Sequence, residues 1–258
     1  CKVSTTPLLN FWAAVTMRTR HCVRFPNRKG FLRAPRSISF MRAPDQTEAH
    51  WRAELGRALS LAGDHLSVYQ LTIEPGTEFR RRRIVPAPEG PAADMFEATH
   101  EMMTAAGLPA YEISNHARAG AECRHNLVYW RGEDYAGIGP GAHGRVTRDG
   151  LTEATEEIRS PAAWLGAVAM GAGGTQVRSA LSSQDRIEEI VLMGLRLAEG
   201  ISQARFRAQT GRTLDEALDG EKIDALIAEG YLARDDDGLR ATGAGLQRLN
   251  AVIDYLLT

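Results

Sequence analysis

The spacing of apolar residues changes between helical and strand periods along the chain. Trp51 and Leu55 recur at a helical spacing after Asp45 and Glu48, which fit an N-cap and capping-box pair, so this stretch predicts a helix capped by Asp45. Residues 65–73, HLSVYQLTI, are apolar or β-branched with little polar alternation, which is typical of a strand covered on both faces. A helix followed by such a strand indicates an α/β fold.

The next segment continues this alternation. A helical pattern covers residues 92–106, with methionines on its inner face, and Gly107 ends it. Tyr111 and Ile113 then predict a short strand. Strand, helix and strand form a βα-unit, and the simplest architecture that contains such a unit is a βα-barrel with parallel strands.

The last part of the chain predicts a compact, helix-rich module over residues 184–258. Ser202 and Thr242 each precede a helical pattern and fit N-caps, and the run 235–238, DDDG, predicts a hairpin turn. Helices followed by a hairpin suggest a winged helix, which raises the alternative of DNA binding. Residues 183–258 carry nine basic and 14 acidic side chains, however, and a net charge of −5 opposes contact with phosphates.

Composition is that of an ordinary globular protein, with 258 residues, 43% of them hydrophobic and 24% charged. No apolar run approaches the roughly 18 residues of a transmembrane helix. The three cysteines, Cys1, Cys22 and Cys123, do not suggest a disulfide scaffold and favour a reducing compartment. We therefore expect a cytoplasmic protein.

The first 43 residues differ from the rest in charge. They contain nine basic residues and no acidic one; since the whole chain carries −1, residues 44–258 carry −10. Three interpretations are a basic arm for nucleic acid or anionic lipid, an Arg-rich mitochondrial-type presequence, and translation in a wrong reading frame. The chain has 28 arginines and three lysines, as expected of a GC-rich gene whose shifted frames encode arginine. Because of this bias, we interpret residues 1–43 as an out-of-frame or disordered head.

Most of the candidate chemistry lies in residues 122–144, ECRHNLVYWRGEDYAGIGPGAHG. His125 stands beside the large aromatic residues Tyr129 and Trp130, and such a set can hold haem, with imidazole on the iron and aromatic faces on the ring. A hydrogen-bonded structural histidine is the alternative interpretation. Cys123 and His125 together supply two ligands, which is too few for a zinc site.

The glycine-rich end of this segment, GIGPGAHG at 137–144, lacks the Gly-Lys-Ser/Thr of a phosphate-binding loop. It predicts instead a strand and turn at which the backbone passes close to another element.

Residues 44–258 resemble the C-terminal part of the radical SAM haem-chaperone family, which is HemW-like and was long labelled oxygen-independent coproporphyrinogen III oxidase-like. The resemblance is carried by long segments in the same order: HLSVYQLTIEPGTEF (65–79), AAGLPAYEISNHAR (105–118), CRHNLVYWRGEDYAGIGPGAHGR (123–145) and EEIVLMGLRLAEGIS (188–202). It implies the later part of an open radical SAM βα partial barrel over residues 44–170, followed, after a Gly/Ala-rich linker at 171–183, by a small α-rich, winged-helix-like domain at 184–258.

The resemblance links haem binding to an HNxxYW motif, which falls here on His125, Asn126, Tyr129 and Trp130, with His125 on the haem iron. It implies a chaperone that delivers haem to apo-haemoproteins, among them membrane respiratory enzymes, in the cytoplasm or peripherally at the membrane. The resemblance leaves open whether the chain forms a homodimer. The alternative function is that of the older label, radical oxidative decarboxylation of coproporphyrinogen III in porphyrin biosynthesis.

The same resemblance implies a [4Fe–4S] cluster on a C-x3-C-x2-C run, with S-adenosyl-L-methionine on the open iron. No two of the three cysteines here have that spacing, so this chain cannot build the site locally. We therefore expect haem as its cofactor, no cluster, no normal binding of S-adenosylmethionine, no catalytic residue and no enzyme activity of this chain alone.

Overall fold

A computed structural model describes residues 37–258. Residues 1–36 of the basic head therefore lie outside the described residues. The chain divides into two compact units, of which the first ends at Glu122 and the second covers Cys123–Thr258.

The described part of the first unit is a three-stranded sheet with three helices. The strands β1, β2 and β3 span Ser37–Met41, His65–Gln70 and Asn115–Ala117. The helices α1, α2 and α3 span Glu48–Leu61, Glu78–Arg81 and Glu89–Ala105. β1 and β2 are parallel with α1 between them in sequence, so the last residues of the predicted head take part in the sheet.

The core of the first unit forms where α1 and α3 pack together and against the sheet. Trp51, Leu55 and Met95 are fully buried there, and the Trp51 indole donates to the hydroxyl of Thr99 on α3 at 2.8 Å. The first four residues of β2 are buried and its last two are exposed. The strand predicted at 65–73 is therefore confirmed for its first six residues. It ends at Gln70, and only its amino end is covered.

The predicted cap of α1 is wrong by two residues. The Thr47 hydroxyl, not the Asp45 carboxylate, accepts the His50 amide at 3.2 Å. Asp45 has φ of 56°, a left-handed conformation that an N-cap residue, which is extended, does not adopt.

The predicted strand at Tyr111 and Ile113 is also misplaced. The side chain of Glu112 accepts hydrogen bonds from the Ser114 amide and the Asn115 side chain, which closes a turn at the predicted strand. The chain reverses there, and β3 runs antiparallel to β2, with Leu66 opposite His116. The expected strand–helix–strand unit with parallel strands is therefore contradicted at β3.

The second unit contains two further three-stranded sheets. The strands β4 to β9 span His143–Arg148, Leu151–Glu157, Thr175–Ala180, Ile201–Ser202, Leu232–Asp235 and Gly238–Ala241. The helices α4 to α11 span Arg124–Trp130, Pro161–Ala169, Ser183–Gly194, Gln203–Thr210, Leu214–Ala217, Gly220–Ala228, Gly243–Gln247 and Leu249–Leu257. The sheet orders are β4-β5-β6 and β7-β9-β8, and all pairings within them are antiparallel.

Local signals place most of the carboxyl-terminal elements correctly. Ser202 caps α7 through the Arg205 amide, and Thr242 caps α10 through the Gly245 amide. Asp235 pairs with Gly238 at the end of the β8–β9 hairpin. Strand β6 lies inside the segment predicted as a linker, while the predicted domain boundaries themselves stay a prediction.

The glycine-rich run before β4 passes another backbone closely, as expected. A Cβ on Gly137 would lie 2.5 Å from the carbonyl oxygen of His143, and one on Gly144 would lie 2.5 Å from Thr155 Oγ1. Both positions therefore leave no room for a side chain.

All three sheets in residues 37–258 are open. Within the same residues, helices of the length and hydropathy required to cross a membrane do not occur.

Candidate functional site

The HNxxYW motif lies on helix α4, and the helical repeat divides it between two neighbouring faces. His125 and Tyr129 are four residues apart and share one face, and Asn126 and Trp130 share the next. His125 is exposed, whereas the other three side chains are half-buried. The structure thus brings all four predicted residues onto one short helix.

His125 and Tyr129 are in direct contact. The Tyr129 hydroxyl lies 2.8 Å from Nε2 of His125, and the two rings meet edge to face with centroids 4.6 Å apart. Tyr135 stands edge to face against Tyr129 at 4.4 Å. His125, Tyr129 and Tyr135 therefore form a row of three rings with His125 at one end. Each neighbouring pair has the edge-to-face contact that aromatic rings prefer.

Tyr135 fixes the inner end of this row. Its backbone forms a β-bridge with Arg145 of β4, and burial raises the pKa of its phenol above the ordinary value. Beside it, a cavity of about 40 Å³ is lined by residues that include Tyr129, Arg145 and Glu189. The guanidinium of Arg145 donates to the Glu189 carboxylate at 2.5 to 3.1 Å, which holds the pKa of Arg145 above its usual range.

The second face of α4 packs on the helices that follow. Trp130 lines a cavity of about 10 Å³ together with Ile190 of α6 and with Phe206 and Gln209 of α7. The indole Nε1 is buried and makes no hydrogen bond within the described part of the chain. Trp130 therefore lies beside α6 and α7 with its indole nitrogen buried, while part of its surface stays accessible.

The carboxyl end of α4 is held by side chains from α6 and α7. Gln209 Nε2 donates to the carbonyl oxygens of Arg131 and Gly132 at 3.0 and 2.9 Å, and the Arg186 guanidinium also donates to the Gly132 carbonyl. Gly132 has φ of 63°, and a Cβ there would lie 3.3 Å from Ile190 and 3.4 Å from Gln209. Helix ends expose carbonyls that need such partners.

Ion pairs next to the carboxyl end of α4 link it to α7 and to the segment between α6 and α7. Arg131 donates through two nitrogens to both Glu199 oxygens at 2.9 Å, and Arg205 of α7 donates to the same carboxylate at 3.2 Å. The hydrogen bonds from Arg131, with Arg205 as a second partner, hold the pKa of Glu199 below its usual range. This bidentate geometry is the stronger form of an Arg–carboxylate pair.

The site offers an exposed imidazole and aromatic rings but no preformed metal cluster. Across residues 37–258, groups of three or more His, Cys, Asp or Glu side chains arranged to hold a metal ion do not occur. Both cavities beside α4 are small, about 10 and 40 Å³, whereas the His125 side of the helix is exposed.

Sequence reasoning missed four contributors to this arrangement. Tyr135 lies inside the aromatic segment 122–144, and its ring type was a usable signal. Gln209, Arg186 and Glu199 carry no such signal, because they reach α4 across 54 to 78 positions of sequence.

Comparison with known proteins defines the class. Residues 181–248 match the HemN C-terminal domain. The solved structure of coproporphyrinogen III oxidase (HemN) from Escherichia coli, described as a radical SAM enzyme, covers 85% of this chain with a TM-score of 0.65, at 18% identity and over 54% of its own chain. The fold is therefore the mixed α/β fold of that structure.

Closer sequence relatives are found among curated proteins. The heme chaperone HemW of Escherichia coli is 37% identical over 215 residues, which are 83% of this chain and 55% of that protein. The mitochondrial radical S-adenosyl methionine domain-containing protein 1 of Danio rerio is 33% identical over 233 residues, 86% of this chain and 52% of that protein.

The chain is similar to a C-terminal portion of HemW/HemN-like radical SAM proteins. It spans about half the length of the curated relatives that it matches.

Proposed function

We propose that this chain binds haem at helix α4 and serves in a haem chaperone that passes haem to apo-haemoproteins. The observation that carries the proposal is the exposed His125 ring at the head of the Tyr129–Tyr135 row. An exposed imidazole beside aromatic edges is suited to an axial ligand with flanking ring contacts. Relatives named as heme chaperones support it.

The residue roles follow from the two faces of α4. His125 is the proposed iron ligand, Tyr129 and Trp130 are the proposed ring contacts, and Asn126 completes the set. Because the Tyr129 hydroxyl is bonded to Nε2 of His125, coordination through Nε2 requires that hydrogen bond to open. The hydroxyl can bond the ring again when the ligand leaves, and an open, reversible site suits delivery better than storage.

The finer architecture is part of the same proposal. We take residues 44–170 as the later part of an open radical SAM partial barrel, and residues 184–258 as a small, α-rich, winged-helix-like domain. The match to the HemN structure supports this assignment. Apo-haemoproteins as recipients, membrane respiratory enzymes among them, and a location in the cytoplasm or at the membrane surface are likewise proposals.

A [4Fe–4S] cluster does not fit this chain. Its three cysteines lack the C-x3-C-x2-C spacing, and Cys123, the one within the described residues, is buried. We therefore derive no step through a cluster or S-adenosylmethionine, and we do not propose coproporphyrinogen oxidation for this chain.

Haem titration of the whole chain, followed by the Soret band, tests the proposal. The unsubstituted chain and His50→Ala, which removes an exposed histidine of the first unit, should show the same saturable Soret shift. His125→Ala should weaken binding at least tenfold and change the spectrum of the bound form, since the axial ligand is lost. An identical titration of His125→Ala would exclude His125 as the ligand.

A further inference from the structure

We infer that the carboxyl-terminal module acts as a clamp on the motif helix, and that Gln209 and Glu199 are positioning residues for His125. The inference rests on the proposed function. It assigns to the module a part in haem binding that does not involve contact with haem.

Helix α4 has few means of its own to stay in place. It is seven residues long, its N-cap Cys123 makes no side-chain cap hydrogen bond, and none of its residues is fully buried. A helix this short is marginal in water without tertiary contacts. Its position must therefore come from neighbouring elements.

Neighbouring side chains hold the carboxyl end of α4. Gln209 and Arg186 donate to carbonyls at the carboxyl end of α4, and Glu199 holds the adjacent Arg131 through two hydrogen bonds. Trp130 packs toward Ile190 and Phe206 in the same place. All these partners lie on α6, on α7 or between them, within the residues that match the HemN C-terminal domain.

His125 lies one and a half turns from this end, so its direction depends on the clamp. If the clamp opens, α4 can leave the competent position, and the apparent dissociation constant for haem rises by the inverse of the competent fraction. The bound form itself keeps the same ligand. A clamp therefore changes affinity and leaves the spectrum of the saturated complex unchanged.

Two substitutions open the clamp without touching haem. Gln209→Glu is nearly isosteric but replaces the donor that faces two carbonyls by an acceptor. Glu199→Gln removes the charge from the Arg131 and Arg205 contacts. Asp215→Asn is the matched control, since Asp215 forms a similar bidentate pair with Arg234 at 2.7 Å in the same module, on α8 and β8.

The first measurement is hydrogen exchange of the amides in residues 124–132 of the haem-free chain. Both clamp variants should exchange faster there than the unsubstituted chain, and Asp215→Asn should not. The second is the Soret titration, in which the clamp variants should bind about tenfold more weakly, the factor expected for a lost charge-assisted or paired hydrogen bond, with the Soret maximum at saturation unchanged.

Exchange unchanged in both clamp variants would overturn the inference, and so would faster exchange with unaltered haem affinity. A loss of thermal stability alone, with the affinity kept, would show a merely structural role and overturn it as well. Failure of the proposed function looks different, because His125→Ala would then titrate like the unsubstituted chain.

Discussion

At the scale of single residues, His125 and His116 show how the surroundings of a histidine determine its role. His125 is exposed with its Nε2 next to a hydroxyl, whereas His116 is 1% exposed and stacks edge-on to His100. The exposed ring is available to a ligand. The buried ring belongs to the packing of the first unit and makes that unit sensitive to pH.

His116 leads to a prediction on acid stability. Burial, with the neighbouring His100 as the second cause, lowers the pKa of His116 to about 3, whereas the unfolded imidazole titrates near 6.5. As the pH falls, the imidazole of the unfolded state therefore takes up a proton before that of the folded state. The contribution of neutral His116 to the free energy of unfolding is fully present above about pH 6.5 and is lost as the pH falls toward about 3. The loss is at most about 1.4 kcal/mol per pH unit.

Urea unfolding at about pH 7.5 and about pH 5.5 measures this loss. We expect the free energy of unfolding to fall by about 1 kcal/mol or more through His116, and His116→Gln to show a smaller fall because its side chain does not titrate. Equal falls in the two proteins would show that His116 does not carry the effect.

At the scale of elements, the ends of helices and strands depend on side chains that close turns. Ser202, Thr242 and the 235–238 turn were predictable, because each signal lies within a few residues of the element that it begins or ends. The start of α1 was not, since Asp45 and Thr47 are both good caps and the left-handed backbone at Asp45 decides between them.

The β3 strand was unpredictable for a related reason. The buried Glu112 and Asn115 side chains bond to each other and turn the chain, which a pattern of apolar residues does not register. The direction of a three-residue strand follows from that turn and not from its own sequence.

The cap of α1 gives a prediction for this scale. Thr47→Ala removes the acceptor of the His50 amide and should lower the free energy of unfolding by about 1 kcal/mol. Asp45→Gly is the control, because glycine accepts the left-handed conformation without strain, and it should leave stability unchanged or slightly higher. Chemical unfolding of the two variants checks this, and the reverse order of effects would make Asp45 the cap.

At the scale of the whole molecule, sequence patterns predicted the resemblance to HemW/HemN-like proteins and the α/β class, and they located the motif. The net charge of −5 on the last 76 residues opposed a DNA-binding function. The contacts that hold α4, from Gln209, Arg186 and Glu199, join positions far apart in sequence and required the folded chain. The clamp therefore could not be read from the motif alone.

The cysteine spacing gives a prediction for the whole chain. Anaerobic reconstitution with ferrous iron and sulfide should yield no stoichiometric [4Fe–4S] cluster, because three thiolates cannot converge locally. Iron and sulfide analysis after desalting checks this, with Cys123→Ser as the comparison. Stoichiometric iron and sulfide in the unsubstituted chain that is lost in Cys123→Ser would contradict it.

The central claim is that His125 is the ligand through which this chain holds haem. The most direct test removes the His125 side chain and supplies free imidazole in its place. His125→Gly should lose the haem spectrum of the unsubstituted chain, and added imidazole should restore it, since the small ligand can occupy the space of the missing side chain. A spectrum that His125→Gly retains without imidazole would contradict the claim, and so would a lost spectrum that imidazole does not restore in a folded protein.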